Sequence, residues 1–252
     1  MCLFLIDSHF LTLNLIKQDI YCMMLSIIIP CKNEESYIGR LFESLAGQSL
    51  PTDTEILVAD AMSTDKTLEI IEKYSKTLPI RVISGGLPSV GRNNGALEAT
   101  GDILLFIDSD CYFNDPNLIS SSVDKIKSGY ELVGALLNIE DNYSVRILYS
   151  ITNIIARLSK LNKPFVVGAY FMITKDAFNR FGGFDETLMH CEDYFLSKQI
   201  NGKKFSLVKK YIYTDDRRFK KMGKLGMIRY FFYNTIKRSD KNFFKKDIGY
   251  WS

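Results

Sequence analysis

Short apolar runs alternate with segments of helical apolar spacing along the first half of the chain. The apolar runs predict strands at residues 25–30, 54–60, 80–84 and 102–108. Between the first two runs, four apolar residues recur at the spacing of one helix face: Ile38, Leu41, Phe42 and Leu45. Strands that are apolar throughout, rather than at every second position, are typical of a parallel sheet with helices on both faces. The first half therefore predicts an α/β fold.

The second half of the chain is less regular. We predict strands at residues 131–139 and 164–174, an amphipathic helix at residues 144–161, and a turn with a short helix within residues 182–200. A chain of 252 residues is long enough for one α/β domain with an appendage. The sequence contains no run of about 18 apolar residues, so it predicts no convincing membrane-spanning helix.

The chain divides into three predicted parts. Residues 24–210 form the α/β domain, and residues 211–252 form a basic aromatic tail. Residues 1–23 are a doubtful extension, because they are apolar only in patches and lack the basic start of a signal peptide. Strand-like sequence begins directly after Met23 and Met24, so our hypothesis is that one of these two methionines is the true initiator.

The composition narrows the chemistry only a little. The chain is 46% hydrophobic and 24% charged, which is ordinary for a globular protein. Its five cysteines show no C-x-x-C spacing, so they predict neither a zinc site nor a disulfide framework. A reducing, cytoplasmic compartment is therefore the expected location.

Polar or turn-forming residues follow three of the four predicted strands. They are Pro30, Asn33 and Glu34 at the first strand, Asp60 at the second, and Asp108 and Asp110 at the fourth. Ligands of parallel sheets bind outside the carboxyl ends of the strands, so this edge is the predicted ligand site. The pair Asp108 and Asp110 suits a divalent metal such as Mg²⁺ or Mn²⁺, which prefers carboxylate oxygens. The alternative is a solvated loop.

Five stretches together resemble the family 2 glycosyltransferases. In order, they are SIIIPCKNEESYIGRLFESLAGQ, EILVADAMSTDKT, GRNNGALEATGDILLFIDSD, GGFDE and CEDYFLSKQINGKK, and they span most of residues 26–204. Each stretch is loose alone, but all five in the family's order make chance similarity very unlikely. The resemblance implies the GT-A fold, a Rossmann-like mostly parallel sheet, and the use of a nucleotide diphosphate sugar.

The resemblance also implies a donor site. A nucleoside pocket would be lined by Pro30, Asn33 and Glu34, and Asp60 would contact the base. In the D-x-D motif, Asp110 would hold Mg²⁺ or Mn²⁺, and Asp108 would contribute to the metal and lie nearer the ribose and sugar. Family members commonly have a second acid where Ala61 follows Asp60, so the choice of base stays open.

A second group of residues concerns the reaction itself. Asp193 matches the acid that acts as general base in inverting members; the alternative is that Glu192 and Asp193 are simply acids at a helix start. Arg92, before Asn-x-Gly, is a candidate donor contact or else a helix-surface residue. We expect His190 to be a partly exposed loop histidine.

Positive charge is concentrated near the end of the chain. Residues 217–246 carry eleven Lys and Arg residues against one acid, whereas the whole chain has a net charge of +3. Arg217 and Arg218 are candidates to bind the donor diphosphate, since Arg grips phosphate with two hydrogen bonds. The alternative is that they meet only solvent or lipid.

The tail also has an amphipathic pattern. Leu225, Ile228, Phe232 and Ile236 lie near one face of a predicted helix among basic residues, as in helices that bind anionic membranes. Packing of this helix on the catalytic domain is the alternative. We expect no nucleic-acid partner, because no reader motif accompanies the basic residues.

These features predict an inverting glycosyltransferase with a lipid-linked or polysaccharide acceptor, as in cell-envelope glycan synthesis. It would be cytoplasmic and attached peripherally to the cytoplasmic membrane face. A nucleotidyltransferase is disfavoured, since CKNEESYIG is not the Gly-rich basic loop that such an enzyme needs after its first strand. A non-catalytic module that binds nucleotide sugars or lipids is the other alternative.

Overall fold

A computed structural model describes residues 23–140 and 142–246, without the side chains of Arg218, Lys224 and Thr235. The predicted extension up to residue 22 and the last six residues of the tail lie outside the described residues. The strands are β1 (Leu25–Cys31), β2 (Thr54–Asp60), β3 (Ile80–Ser84), β4 (Ile103–Ile107), β5 (Tyr112–Phe113), β6 (Leu132–Asn138), β7 (Tyr170–Thr174) and β8 (Phe205–Tyr213). The helices are α1 (Ile38–Ala46), α2 (Thr67–Ser75), α3 (Pro88–Glu98), α4 (Leu118–Lys127), α5 (Tyr143–Ser159), α6 (Lys175–Arg180), α7 (Glu192–Ser197) and α8 (Arg217–Lys237).

Within the described residues, the strands form one sheet in the order β3-β2-β1-β4-β7-β6-β8-β5. Strands β1 to β4 are mutually parallel where they pair, and β7 runs antiparallel to both β4 and β6. Strand β8 is parallel to β6, and the short β5 is antiparallel to β8. The prediction of a mostly parallel α/β sheet is confirmed.

Both faces of the central strands are buried. Along β1, Ile27 and Ile29 pack into one hydrophobic cluster with α1, α2, α4 and α5, while Ile28 packs into the other with α3 and α6. All three isoleucines are fully buried. Such burial explains why the strand sequences are apolar at every position rather than at alternate ones.

Two strands differ from the sequence-based expectation. Only residues 170–174 of the predicted strand 164–174 pair in the sheet. The preceding segment forms a turn, in which the N–H of Tyr170 donates to the carbonyl oxygen of Val167 and the N–H of Gly168 donates to Asp193. The sequence does not predict strand β8, since the consecutive charges of Lys209 and Lys210 interrupt its apolar pattern. It ends at Tyr213, three residues past the predicted domain boundary at residue 210.

The basic tail packs against the domain through part of its surface. Phe219 and Met227 of α8 are buried in the larger cluster, and Phe244 is buried against Phe195 of α7. Helix α8 is interrupted at Gly223, whose φ of 69° and ψ of 159° are not helical. The apolar face predicted for this helix is exposed, at Leu225, Ile228, Phe232 and Ile236.

Helix α3 approaches β1 closely because position 95 is glycine. A Cβ atom at Gly95 would collide with the side chain of Ile28. We predict that Gly95→Ala lowers the free energy of unfolding by about 1–3 kcal/mol, since the helix must move away from the sheet. Urea denaturation would measure this change.

The matched control is Gly39→Ala in α1, where the nearest atom to an added Cβ lies 3.8 Å away on Ile70. That variant should be unchanged or up to about 0.5 kcal/mol more stable, because alanine favours the helix. Equal losses in the two variants would contradict the close-packing explanation.

Candidate active site

The polar edge of the sheet lies where β1, β2 and β4 end, as the sequence predicts. After β4 the chain turns sharply, and the backbone N–H of Cys111 donates to the carbonyl oxygen of Asp108 at 3.2 Å. This turn leaves the Asp110 side chain 7% exposed and that of Asp108 14% exposed. Two nearly buried carboxylates need cationic partners, and the structure supplies an arginine for each.

Arg92 is the centre of a buried charge cluster. Its side chain is 1% exposed, and one terminal nitrogen lies 2.6 Å from a carboxylate oxygen of Asp108. The other terminal nitrogen donates to Glu192 at the start of α7. The helix-surface alternative for Arg92 therefore does not hold, whereas its role as a donor contact stays a prediction.

Asp193 lies beside this cluster and is partly exposed to a cavity. Its Oδ2 accepts a hydrogen bond from the backbone N–H of Gly168 at 2.6 Å, and its Oδ1 accepts one from the N–H of Tyr194 at 2.7 Å. A Cβ atom at Gly168 would lie 3.0 Å from a terminal nitrogen of Arg92, so this position favours glycine.

The electrostatic environment makes Asp193 an unusual carboxylate. Burial is the largest influence and raises the pKa of Asp193, and the negative charge of Glu192 raises it further. The positive charge of Arg92 and the two backbone hydrogen bonds oppose this increase. A carboxyl group with a raised pKa accepts a proton more readily than an ordinary aspartate, which suits a general base.

Arg217, the first residue of α8, connects the segment after β1 with the segment after β4. It donates two hydrogen bonds to Glu34, at 2.8 and 2.7 Å, and lies 3.1 Å from a carboxylate oxygen of Asp110. Burial raises the pKa of Glu34, and Arg217 counteracts this effect. The side chain of Arg218 lies outside the described residues, so its predicted role stays a prediction.

The other predicted nucleoside residues lie at the ends of β1 and β2 and in the loop that follows β1. Asp60 accepts hydrogen bonds from the N–H of Ser63 at 3.0 Å and from its hydroxyl at 2.5 Å. Asn33 has a φ of 54°, and its Oδ1 accepts a hydrogen bond from the N–H of Thr64 at 2.8 Å. Asn33 thus joins the loop after β1 to the loop after β2, whereas Asp60 orders the loop after β2. Pro30 is the second-last residue of β1.

A cavity of about 790 Å³ is lined by four of the other predicted site residues, whereas Glu34 and Arg217 are not part of its lining. Its lining includes Arg92, Asp108, Asp110 and Asp193. Much of the remaining wall is apolar or aromatic and comes from α5, α8 and the segment before β7: Tyr149, Ile155, Leu158, Phe165, Val167, Met227, Tyr230 and Phe231. The structure thus brings the candidate base and the D-x-D motif together in one cavity.

The D-x-D pair fits one kind of metal site. No cluster of three or more His, Cys, Asp and Glu side chains that could hold a metal ion occurs among the described residues. Mg²⁺, however, is commonly held by one or two carboxylates together with substrate phosphates and water. Asp110, with Asp108 beside it in the same cavity, supplies such a set, and Arg217 balances the charge of Asp110.

Two residues differ from the sequence-based interpretation. His190 is fully buried against Tyr230, Phe243 and Phe244, so the expectation of a partly exposed loop histidine is wrong. Glu192 is the buried partner of Arg92 rather than only an acid at a helix start. Because these partners lie far apart in the sequence, no local pattern could have indicated the contacts.

A family model described as "Glycosyl transferase family 2" matches residues 26–182. The chain belongs to this family. The resemblance found in the sequence motifs is confirmed, and the match ends before α7, which carries Asp193.

Curated relatives of this family 2 chain include two enzymes named for poly(ribitol-phosphate). The beta-N-acetylglucosaminyltransferase TarS of Staphylococcus aureus is 43% identical over 101 residues, which cover 38% of this chain and 18% of TarS. A beta-glucosyltransferase of Bacillus spizizenii is 36% identical over 103 residues, which cover 38% of this chain and 16% of the relative. The chain therefore spans less than a fifth of the length of either relative.

Solved structures support the fold. The complex of TarS residues 1–349 with UDP-GlcNAc has a TM-score of 0.60 and 24% identity, covering 76% of this chain and 58% of that one. The mannosyltransferase PcManGT of Pyrobaculum calidifontis, in complex with GDP-Man and Mn²⁺, has a TM-score of 0.62 and 16% identity. The match covers 86% of this chain and 70% of PcManGT. The predicted GT-A fold of this family 2 chain is confirmed.

The buried cluster around Arg92 generates a stability prediction. Arg92→Met would leave Asp108 and Glu192 without their buried cation, so we expect the free energy of unfolding to fall by about 3–5 kcal/mol. The measurement is urea denaturation at neutral pH.

Arg81→Met is the matched control, because Arg81 pairs with Glu98 at the surface, where both side chains are about half exposed. Its loss should stay below about 1 kcal/mol. If Arg92→Met cost no more than this control, the buried cluster would not contribute as described.

Proposed function

We propose that this family 2 chain transfers a sugar from a nucleoside diphosphate sugar to a hydroxyl group of an acceptor, with inversion at the anomeric carbon. The observation that carries the proposal is that Asp193 shares one cavity with the D-x-D residues Asp108 and Asp110. A proton acceptor is thereby close to the carboxylates that would hold the donor. Family membership supports the nucleotide-sugar donor.

In the proposed reaction, the acceptor oxygen attacks the anomeric carbon as the bond to the diphosphate breaks. The new bond is the glycosidic bond, the diphosphate leaves with the electron pair, and the acceptor proton moves to Asp193. The raised pKa of Asp193 favours this proton transfer. The hydrogen bond from Gly168 orients its carboxylate, and Glu192 keeps Arg92 in position beside it.

Arg217 is proposed to bind the diphosphate, since its guanidinium already lies against Asp110 and Glu34. Asp110 and Asp108 would hold Mg²⁺ or Mn²⁺, which when bound supplies positive charge to neutralise the leaving diphosphate. Arg218 is a second candidate for the diphosphate. Asp60, Asn33 and Pro30 would form the nucleoside end of the site.

The proposed acceptor is a cell-envelope glycan or a lipid-linked intermediate. Two relatives are named for poly(ribitol-phosphate), and a third, from Pyrococcus furiosus, is named a dolichol-phosphate mannosyltransferase and is 32% identical over 114 residues. The molecules in these names, poly(ribitol-phosphate) and dolichol phosphate, both carry phosphate groups. They support the class of acceptor and not its identity.

We also propose that the protein attaches peripherally to the cytoplasmic face of an anionic membrane. Exposed apolar side chains lie on two helices that line the cavity: Ile147, Ile151, Ile154 and Leu158 on α5, and Leu225, Ile228, Phe232 and Ile236 on α8. Basic residues accompany both sets, which suits anionic lipid headgroups. None of the described helices is long and apolar enough to span a bilayer.

The proposed donor site predicts a pattern of nucleotide binding. We expect UDP, GDP, CDP or dTDP to raise the melting temperature of the wild-type protein when Mn²⁺ is present. Asp110→Ala should abolish this shift, because it removes the carboxylate that would bind the metal. Asp193→Asn should keep the shift but lose sugar transfer, which a radiolabelled donor assay would measure.

Asp185→Asn is a suitable control, because Asp185 pairs with Lys241 outside the D-x-D motif. It should retain the nucleotide shift. Retained transfer in Asp193→Asn would exclude Asp193 as the base, and no shift with any nucleotide would count against the donor site. Because the pKa of Asp193 is raised, transfer by the wild type should decline as the pH falls toward the pKa of this group.

The proposed membrane attachment predicts that the full chain sediments with vesicles of phosphatidylcholine and phosphatidylglycerol at low salt. The double variant Leu225→Ser/Phe232→Ser should remain in the supernatant, because the inserted apolar surface is lost. The control Val82→Ser/Leu97→Ser changes two exposed apolar residues on other elements and should sediment like the wild type. Identical sedimentation of the two variants would argue against insertion of α8.

A further inference from the structure

Three cationic side chains line the same cavity as Asp193. Lys163 follows α5, Lys198 ends α7 and Arg238 ends α8, and all three border the cavity. Among the described residues, no carboxylate lies within ion-pair distance of any of them. The nearby Lys241, by contrast, is paired with Asp185.

Lys198 lies over two aromatic rings, and the charges of the other two cations reach Lys198 or Tyr194. The Lys198 ammonium lies 5.1 Å from the ring centre of Tyr194 and 3.8 Å from that of Phe195. Burial and the positive charges of Lys163 and Lys241 lower the pKa of Lys198. Arg238 is close enough to Tyr194 for its charge to oppose the rise in the pKa of that phenol. Cations gathered in this way repel one another and gain free energy when an anion binds between them.

The cavity also offers groups for an uncharged part of the ligand. Asn162 and Ser239 line the cavity. Their amide and hydroxyl groups can exchange hydrogen bonds with a hydroxyl group of a ligand. A ligand that bears hydroxyl groups and an anionic group therefore matches the polar lining.

The donor already has other partners for its charge. Its diphosphate is assigned to Arg217 and the D-x-D pair, and Arg217 lies at Glu34 and Asp110. The cations near Tyr194 are therefore left for the second substrate. A phosphate group carries between one and two negative charges at neutral pH and accepts hydrogen bonds from several cations at once, so it matches three of them better than a carboxylate does.

We infer that Lys163, Lys198 and Arg238 form a subsite for a phosphate group carried by the acceptor. This inference rests on the proposed function, because only a transferase has an acceptor to place beside Asp193. The phosphate holds the acceptor while a hydroxyl of the same molecule reaches the base. The subsite gives the enzyme a preference for phosphate-bearing acceptors over neutral sugars.

The test is calorimetric titration of inorganic phosphate into the full chain. The triple variant Lys163→Gln/Lys198→Gln/Arg238→Gln should bind phosphate at least about tenfold more weakly than the wild type, since charge-assisted hydrogen bonds are lost. The control Lys160→Gln/Lys203→Gln/Lys237→Gln removes the same charge from exposed positions that do not line the cavity. The affinity of this control for phosphate should change less than about twofold when both titrations are made in added salt, which screens the general effect of net charge.

Equal affinities in the two triple variants would overturn the inference. So would loss of phosphate binding in Arg217→Gln together with its retention in the cavity triple, since phosphate would then occupy the diphosphate site. If the cavity triple fails to fold, Lys198→Gln alone should weaken binding by about threefold or more, and unchanged binding would overturn the inference.

Two further titrations distinguish the source of the phosphate. The probes are sn-glycerol 3-phosphate in solution and dioleoylphosphatidic acid in neutral bicelles. Binding of either probe that is tighter than that of inorganic phosphate, and that the cavity triple variant weakens, supports the subsite. Preference for glycerol 3-phosphate assigns the phosphate to a soluble acceptor, and preference for phosphatidic acid assigns it to a lipid acceptor. Failure of both probes to bind overturns the inference. These titrations use no nucleotide, so they fail independently of the nucleotide shifts that test the proposed function.

Discussion

The geometry of the site depends on the burial of one guanidinium among carboxylates. Arg92 reaches from α3 to Asp108 at the end of β4 and to Glu192 at the start of α7, so it connects the sheet edge with the helix that carries Asp193. Each carboxylate alone would lower the stability of the fold at such a buried position, and the positive charge of the arginine compensates for their burial. Burial is the main reason that the pKa of Asp193 is raised, and Glu192 and Arg92 then act on its charge in opposite directions.

Glycines allow Arg92 to lie so deep. Gly91 and Gly95 are four residues apart on the same face of α3, and they pack against Pro30 and Ala59 in one case and against Ile28 in the other. The helix therefore lies almost on the strands, with the arginine carried inward beside it. The glycines of Gly-Arg-Asn-Asn-Gly thus allow close packing of α3 on the sheet, and the arginine between them places a positive charge in the buried site.

Much of the fold follows from local pattern, whereas much of the site does not. Apolar runs such as residues 54–60 predict buried strands, and parallel strands predict which edge bears Asp60 and Asp110. Strand β8 escapes this reasoning, since Lys209 and Lys210 interrupt the apolar pattern of a strand that pairs with β6. The pair formed by Arg92 and Glu192 joins residues one hundred positions apart. Such contacts arise from tertiary packing, and a single sequence carries no local signal for them.

The contact of Arg217 with Glu34 and Asp110 means that the protein carries its own counterion at this edge of the sheet. A metal or a diphosphate that bound here would therefore exchange partners with these side chains rather than fill a bare acidic site. The net free energy of such an exchange is the difference between two favourable interactions, so it is smaller than that of the new interaction alone. Because Arg217 is the first residue of α8, and α8 contributes Met227, Tyr230 and Phe231 to the cavity wall, such an exchange would couple the proposed donor site to the shape of the cavity.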